Sequence, residues 1–121
     1  MNKYQQIAKR IVTASRVLDV GCGAGDLGRS LNGKQCKVTG WDLKLDRVNA
    51  NREAYQLLEE HDIEKQGFGS EKYDVIVFSD VLEHLNDPEK VLDKSRESLS
   101  SEGMLLVSLP NVAYLDNRIG L

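Results

Sequence analysis

An α/β fold is predicted, a doubly wound and mostly parallel sheet of about five strands with helices on both faces. Three observations predict it. Short apolar runs at residues 17–20, 75–78 and 104–107 alternate with stretches of helical spacing, the rhythm of strand–helix–strand units. The first run leads directly into glycines at every second position, Gly21, Gly23 and Gly25, which let the backbone turn tightly and approach a ligand because no Cβ intervenes. A second strand ends on an acid, Asp42, 21 residues beyond Gly21. Parallel neighbours open their carboxyl ends onto a single crevice, so Asp42 is expected to face whatever lies over the glycine turn. The strand order 3-2-1-4-5 follows.

Composition sets the bounds. The chain has 121 residues, 40% of them hydrophobic and 29% charged, ordinary values for one domain with a real core. Net charge is −3 with both signs interspersed, which argues against nucleic acid or a membrane surface as partner. Cys22 and Cys36 match no metal-ligand spacing and read as reduced thiols, the usage of a cytoplasmic protein. No apolar run approaches the ~20 residues of a membrane span.

Taken in order, Tyr4, Ile7, Ala8, Ile11 and Val12 fall on one helical face over residues 2–13. A strand over 16–20 and the glycine turn precede a helix over about 25–32, its buried side carried by Leu27 and Leu31 and its free N–H groups aimed over the turn. Residues 36–41 form the second strand, with Trp41 in the core. A weakly patterned helix is expected over 44–52, and a third strand over 54–58. His61 reads as a surface residue, and residues 67–70 as a plain loop. Residues 73–80 make the clearest strand, β-branched and aromatic. Its carboxyl end, Ser79-Asp80-Val81, closes the other wall of the crevice. Asp87-Pro88-Glu89 starts a helix running to about residue 100, with Asp87 as cap and Pro88 in the first turn. A fifth strand over 103–109 stops at Pro110.

The acids around the turn select the ligand. Asp19 ends the first strand, and Asp26 stands where a dinucleotide's pyrophosphate would lie. Like charge there disfavours NAD and favours a ligand carrying a cationic group. Asp42 can accept two hydrogen bonds from a ribose diol, and Leu43 supplies apolar surface for a base.

The pattern D-x-G-x-G-x-G after an apolar strand, Asp19 to Gly25, resembles the first motif of class I S-adenosylmethionine (SAM) methyltransferases. Residues 73–85, Y-D-V-I-V-F-S-D-V-L-E-H-L, followed by a helix and G-M-L-L-V-S-L-P-N, resemble small-molecule methyltransferases of the MetW-like and ubiquinone O-methyltransferase families. The resemblance spans residues 15–112. It implies a Rossmann-like fold, SAM as cofactor and S-adenosyl-L-homocysteine (SAH) as product, with the methyl passing by in-line displacement to a small-molecule acceptor. It also implies that Asp19, Gly21, Cys22, Gly23, Gly25, Asp42, Leu43, Ser79, Asp80 and Val81 bind the cofactor. Asp62 and Ile63 are similar to the segment that meets the adenine amino group. The helix over residues 2–13 is read as a lead-in element packed on the sheet, to which the resemblance adds a place for Tyr4 near the methionine end as an alternative. Histidine exchanges protons near neutral pH, so His84 is the expected general base where the acceptor must lose a proton. Glu83 would orient it or contribute to a metal site.

The family's sheet has seven strands, the last two an antiparallel hairpin. Only five can be placed here, so the expectation is a single domain over 1–121, truncated after the fifth strand. That would leave an open apolar edge suited to pairing with a second copy. The alternative readings are a non-catalytic SAM-binding module and, against the glycine spacing and Asp26, an NAD-linked oxidoreductase.

Overall fold

Val17 and Leu18 are adjacent in sequence and fully buried, yet they belong to cores on opposite faces of one sheet. Side chains alternate across a strand, so only a strand covered on both sides buries consecutive residues. The computed structural model describes residues 1–110 and the backbone of 112–118. Its strands are β1 (Arg16–Val20), β2 (Lys37–Asp42), β3 (Leu57–Glu60), β4 (Tyr73–Ser79), β5 (Leu99–Leu109) and β6 (Val112–Arg118). Its helices are α1 (Lys3–Lys9), α2 (Asp26–Ser30), α3 (Ile63–Gln66) and α4 (Pro88–Arg96). The order across the sheet is β3-β2-β1-β4-β5-β6. The first five strands are parallel, in the expected arrangement.

One core lies between the sheet and the α1/α2 side and includes Ile7, Ile11, Leu27, Val38 and Val77. The other lies on the α3/α4 side and includes Trp41, Ile63, Phe68, Phe78 and Val91. α1 is held at its start by a reciprocal cap between Asn2 and Gln5. Asp87 caps α4, accepting the N–H of Lys90 at 3.1 Å, with Pro88 in the first turn.

Four expectations are corrected. Residues 44–52 do not form an α-helix: a 3₁₀ turn over Asn49–Ala54 stands there instead, because Val48 is the one fully buried anchor in that weak pattern. β3 begins at Leu57 rather than 54, since Tyr55 turns inward before pairing starts. β5 starts at Leu99, four residues ahead of the expected 103, and its pairing with β4 shifts register between Tyr73 and Val75. The edge of β5 is not open. β6 pairs along it antiparallel, Leu105 opposite Asn117 and Val107 opposite Leu115, and it includes the strand-favouring residue types Val112 and Tyr114. The surface expected to support a dimer is therefore taken by the chain itself.

Candidate functional site

The glycine turn has the backbone its residues dictate. Gly21, Gly23 and Gly25 have φ values of +81°, +53° and +86°, a region that L side chains enter at a cost of roughly 1–2 kcal/mol. The turn is pinned to β2, for Trp41 O accepts the N–H groups of Gly21 and Cys22 at 2.8 and 3.0 Å. Asp42 completes the attachment: its carboxylate accepts the N–H of Gly23 at 2.8 Å and that of Leu43 at 2.8 Å. Asn51 steadies the far side through a 2.8 Å bond to Ala24 O. A Cβ on Gly21 would stand 3.1 Å from both Ser79 O and Val81, so the bare backbone is what keeps this approach open.

A crevice of about 340 Å³ opens where these strands end. Gly21, Asp42, Leu43, Asp62, Ile63, Ser79, Asp80, Val81 and His84, all singled out from the sequence, line it. Leu43 is 66% exposed, an apolar surface presented to the cleft beside a carboxylate. Asp62 caps α3 by accepting the N–H groups of Glu64 and Lys65. His84 is exposed at the end of a 3₁₀ turn over Leu82–His84. Asp80 has the left-handed φ of +52°. Its carboxylate accepts bonds from Ser108 Oγ at 2.9 Å and from Lys3 Nζ at 2.6 Å, so α1 is tied across the sheet to the crevice wall.

Four predicted residues lie off the cavity wall. Asp19 is 1% exposed, and its two oxygens accept hydrogen bonds from Tyr55 and Ser79, each at 2.8 Å. Burial pushes its carboxyl up to about 6, against the lowering effect of those two bonds. Cys22 packs in the α1/α2-side core, and burial raises its thiol to about 12. Gly25 is buried and faces Asn51 and Tyr55. Gly23 meets the crevice through Asp42 and the Arg47 guanidinium, which stands 3.2 Å from where its Cβ would be. The helix start expected to aim free N–H groups over the turn is reduced, because α2 is only five residues long and the hydroxyl of Tyr55 accepts the N–H of Gly28.

Sequence reading missed three groups in the cleft. His61, expected on the surface, lines the crevice, stacked on Trp41 at 3.8 Å between ring centroids and bonded to Gly67 O at 2.7 Å. Trp41 is core and crevice wall at once. Arg47 adds a guanidinium. Their signal was position alone: each lies within five residues of Asp42 or Asp62. Burial also raises the hydroxyl of Tyr4, reinforced by Asp80, Asp26 and Asp19. No group of three or more His, Cys, Asp or Glu among the described residues is placed to hold a metal ion. A larger cavity of about 620 Å³ lies between α3 and α4; Ile63 is the one predicted site residue that reaches it.

The model of a family described as "Methyltransferase domain" matches residues 1–120. The chain belongs to that family. This methyltransferase domain is similar to the ubiquinone biosynthesis O-methyltransferase of Glaesserella parasuis, 33% identical over 107 residues covering 79% of this chain and 45% of that protein. The enzyme of that name from Histophilus somni is 32% identical, over 93% of this chain and 52% of the relative. The domain thus spans about half the length of these curated relatives. Among solved structures, coclaurine N-methyltransferase bound to N-methylheliamine and SAH superposes with a TM-score of 0.73 at 26% identity, over 86% of this chain and 34% of that one. A TehB-like SAM-dependent methyltransferase from Corynebacterium glutamicum shares the fold at a TM-score of 0.74 and 21% identity, over 88% of this chain and 61% of that one.

Proposed function

We propose that this methyltransferase domain binds SAM in the crevice and transfers its methyl group to a small-molecule acceptor. One observation carries the reading: the carboxylate of Asp42 lies against the glycine turn at the mouth of a cleft that also presents the exposed Leu43. The residues fit the cofactor. Backbone without Cβ gives close approach, and Leu43 and Ile63 offer apolar surface for adenine. The two oxygens of Asp42 accept one backbone N–H each. A carboxylate has about four lone-pair sites, so capacity is left for ribose hydroxyls. Bound SAM supplies an electrophilic methyl on a cationic sulfur. The task left to the chain is alignment and exclusion of water, which Ser79, Asp80 and Val81 serve as one wall. In this reading His84, exposed at the rim, takes a proton from an acceptor hydroxyl or ammonium. The free thiols of Cys22 and Cys36 support a cytoplasmic setting.

Titration calorimetry with SAH tests the cofactor assignment. Micromolar binding that falls at least about tenfold in Asp42→Ala is expected; absence of binding, or binding indifferent to that change, would overturn it. For His84, the His84→Ala variant should keep SAH affinity within about twofold while losing turnover of an acidic-hydroxyl acceptor by about 10² or more. β6 on the β5 edge supplies one of the two edge strands whose expected absence motivated the reading as a non-catalytic SAM-binding or interaction module.

A further inference from the structure

Tyr55 comes in from the turn ahead of β3 and is 8% exposed. Its ring fills space that two glycines leave free: a Cβ on Gly28 would lie 2.4 Å from it, and one on Gly40 2.9 Å. The phenol oxygen makes two bonds, donating to Asp19 at 2.8 Å and accepting the N–H of Gly28 at 3.1 Å. Residues 19 and 28 bracket the glycine turn, so its two ends are fastened to one oxygen atom. Ser79 Oγ donates to the second oxygen of Asp19 at 2.8 Å and brings β4 into the same joint.

We infer that Tyr55 is a positioning residue for cofactor binding, acting through Asp19 and Gly28 to hold the turn over residues 21–25 in the shape that receives the ligand. The inference rests on the SAM reading above. Three successive positive-φ glycines define a turn with many accessible shapes. Anchoring both flanks to a buried hydroxyl removes most of that freedom before the ligand arrives, which improves affinity without any direct contact. Phenylalanine in place of Tyr55 would keep the ring packing and release both anchors at once.

The carboxylate in the joint is a titratable reporter of this role. Tyr4 on α1, Cys22 in the turn, Asp26 on α2, Asp42 on β2 and Tyr55 all act on Asp19 or are acted on by it. A ligand with a cationic sulfur is held better when Asp19 is charged, so affinity should rise with pH through the Asp19 transition. His61 and His84 line the same crevice. Variants must therefore separate their contribution from that of Asp19.

The experiment is calorimetry of SAM and SAH binding between about pH 5 and about pH 8, on the unaltered chain, Tyr55→Phe and Asp19→Asn. Tyr55→Phe should bind SAH about tenfold more weakly at neutral pH. Its affinity curve for SAM should move to higher pH, because Asp19 loses a bond that favours its charged form. Asp19→Asn should lose the Asp19 part of the curve, and the pH dependence should be larger for cationic SAM than for SAH. If the unaltered chain binds neither ligand, the cofactor reading falls and this inference with it. If it binds and Tyr55→Phe matches it within about twofold at every pH, the role of Tyr55 alone is overturned. A lower melting temperature with an unmoved pH curve would mean packing only, and also overturns it. Should Tyr55→Phe fail to fold, Asp19→Asn decides: an unchanged pH curve there overturns the inference.

Discussion

The carboxylate of Asp42 and the backbone N–H of Gly23, 19 positions apart in the chain, meet at 2.8 Å. The contact fastens the end of β2 to the middle of the glycine turn, so the acid that faces the cleft also shapes the loop beside it. Loss of the side chain therefore has two effects that can be measured apart.

Asp42→Asn keeps an oxygen for Gly23 and removes the charge; Asp42→Ala removes both. Stability should fall by about 1–2 kcal/mol in the alanine variant and by less than half of that in the asparagine variant. Urea titration of the two proteins checks this, and equal losses would contradict the structural role of the bond.

Gly28 and Gly33 give a contrast in crowding. A methyl on Gly28 would strike the ring of Tyr55 at 2.4 Å, whereas one on Gly33 (φ +89°) meets nothing within 4 Å. Gly28→Ala should cost about 3 kcal/mol, roughly a 10 °C drop in melting temperature for a domain of this size. Gly33→Ala should cost about 1 kcal/mol, from backbone conformation alone. Thermal melts of both variants decide it.

Asp19 makes stability depend on pH in an unusual direction. Burial raises its carboxyl from 3.8 to about 6, so the folded state holds the proton more tightly than the unfolded chain does. Its contribution is fully present below the unfolded value and is lost as pH rises through the folded one, a change of roughly 3 kcal/mol between about pH 4 and about pH 6. Asp19→Asn should remove that decline. Unfolding free energies of both proteins across this interval are the check, and parallel curves would refute it.

The ion pair of Lys3 with Asp80, at 2.6 Å, is about 70% shielded from solvent at both side chains. Lys3→Ala should lower stability by less than about 1 kcal/mol, and added salt should shrink the difference. A salt-independent loss would place the effect in helix packing instead.

Much of the framework was legible from local patterns. β4 is a β-branched run, α4 carries an aspartate cap with proline behind it, and Gly21 to Asp42 has the spacing of adjacent parallel strands. What escaped depends on contacts distant in sequence. Nothing near residue 55 announces that its ring crosses beneath Gly28 and Gly40, and nothing near Asp19 says that its acid is enclosed by Tyr55 and Ser79. His61 looked like a surface residue because its stacking partner, Trp41, lies on another strand. Cys22, within a ligand-type motif, points into the core for an equally nonlocal reason: Ile7 and Leu27 converge there with it. The 3₁₀ turn over Asn49–Ala54 is fixed by Val48 in the core and by the bond of Asn51 to Ala24 O, both contacts to distant parts of the chain.

The space that Gly28 and Gly40 concede to a single aromatic ring binds three positions into one unit of inheritance. A homologue with a larger residue at position 28 or 40 should carry a smaller one at position 55, and that exchange would also dissolve the buried phenol–carboxylate pair. Divergence at these sites should therefore come in concert, in lineages where the loop above has been rebuilt by other means.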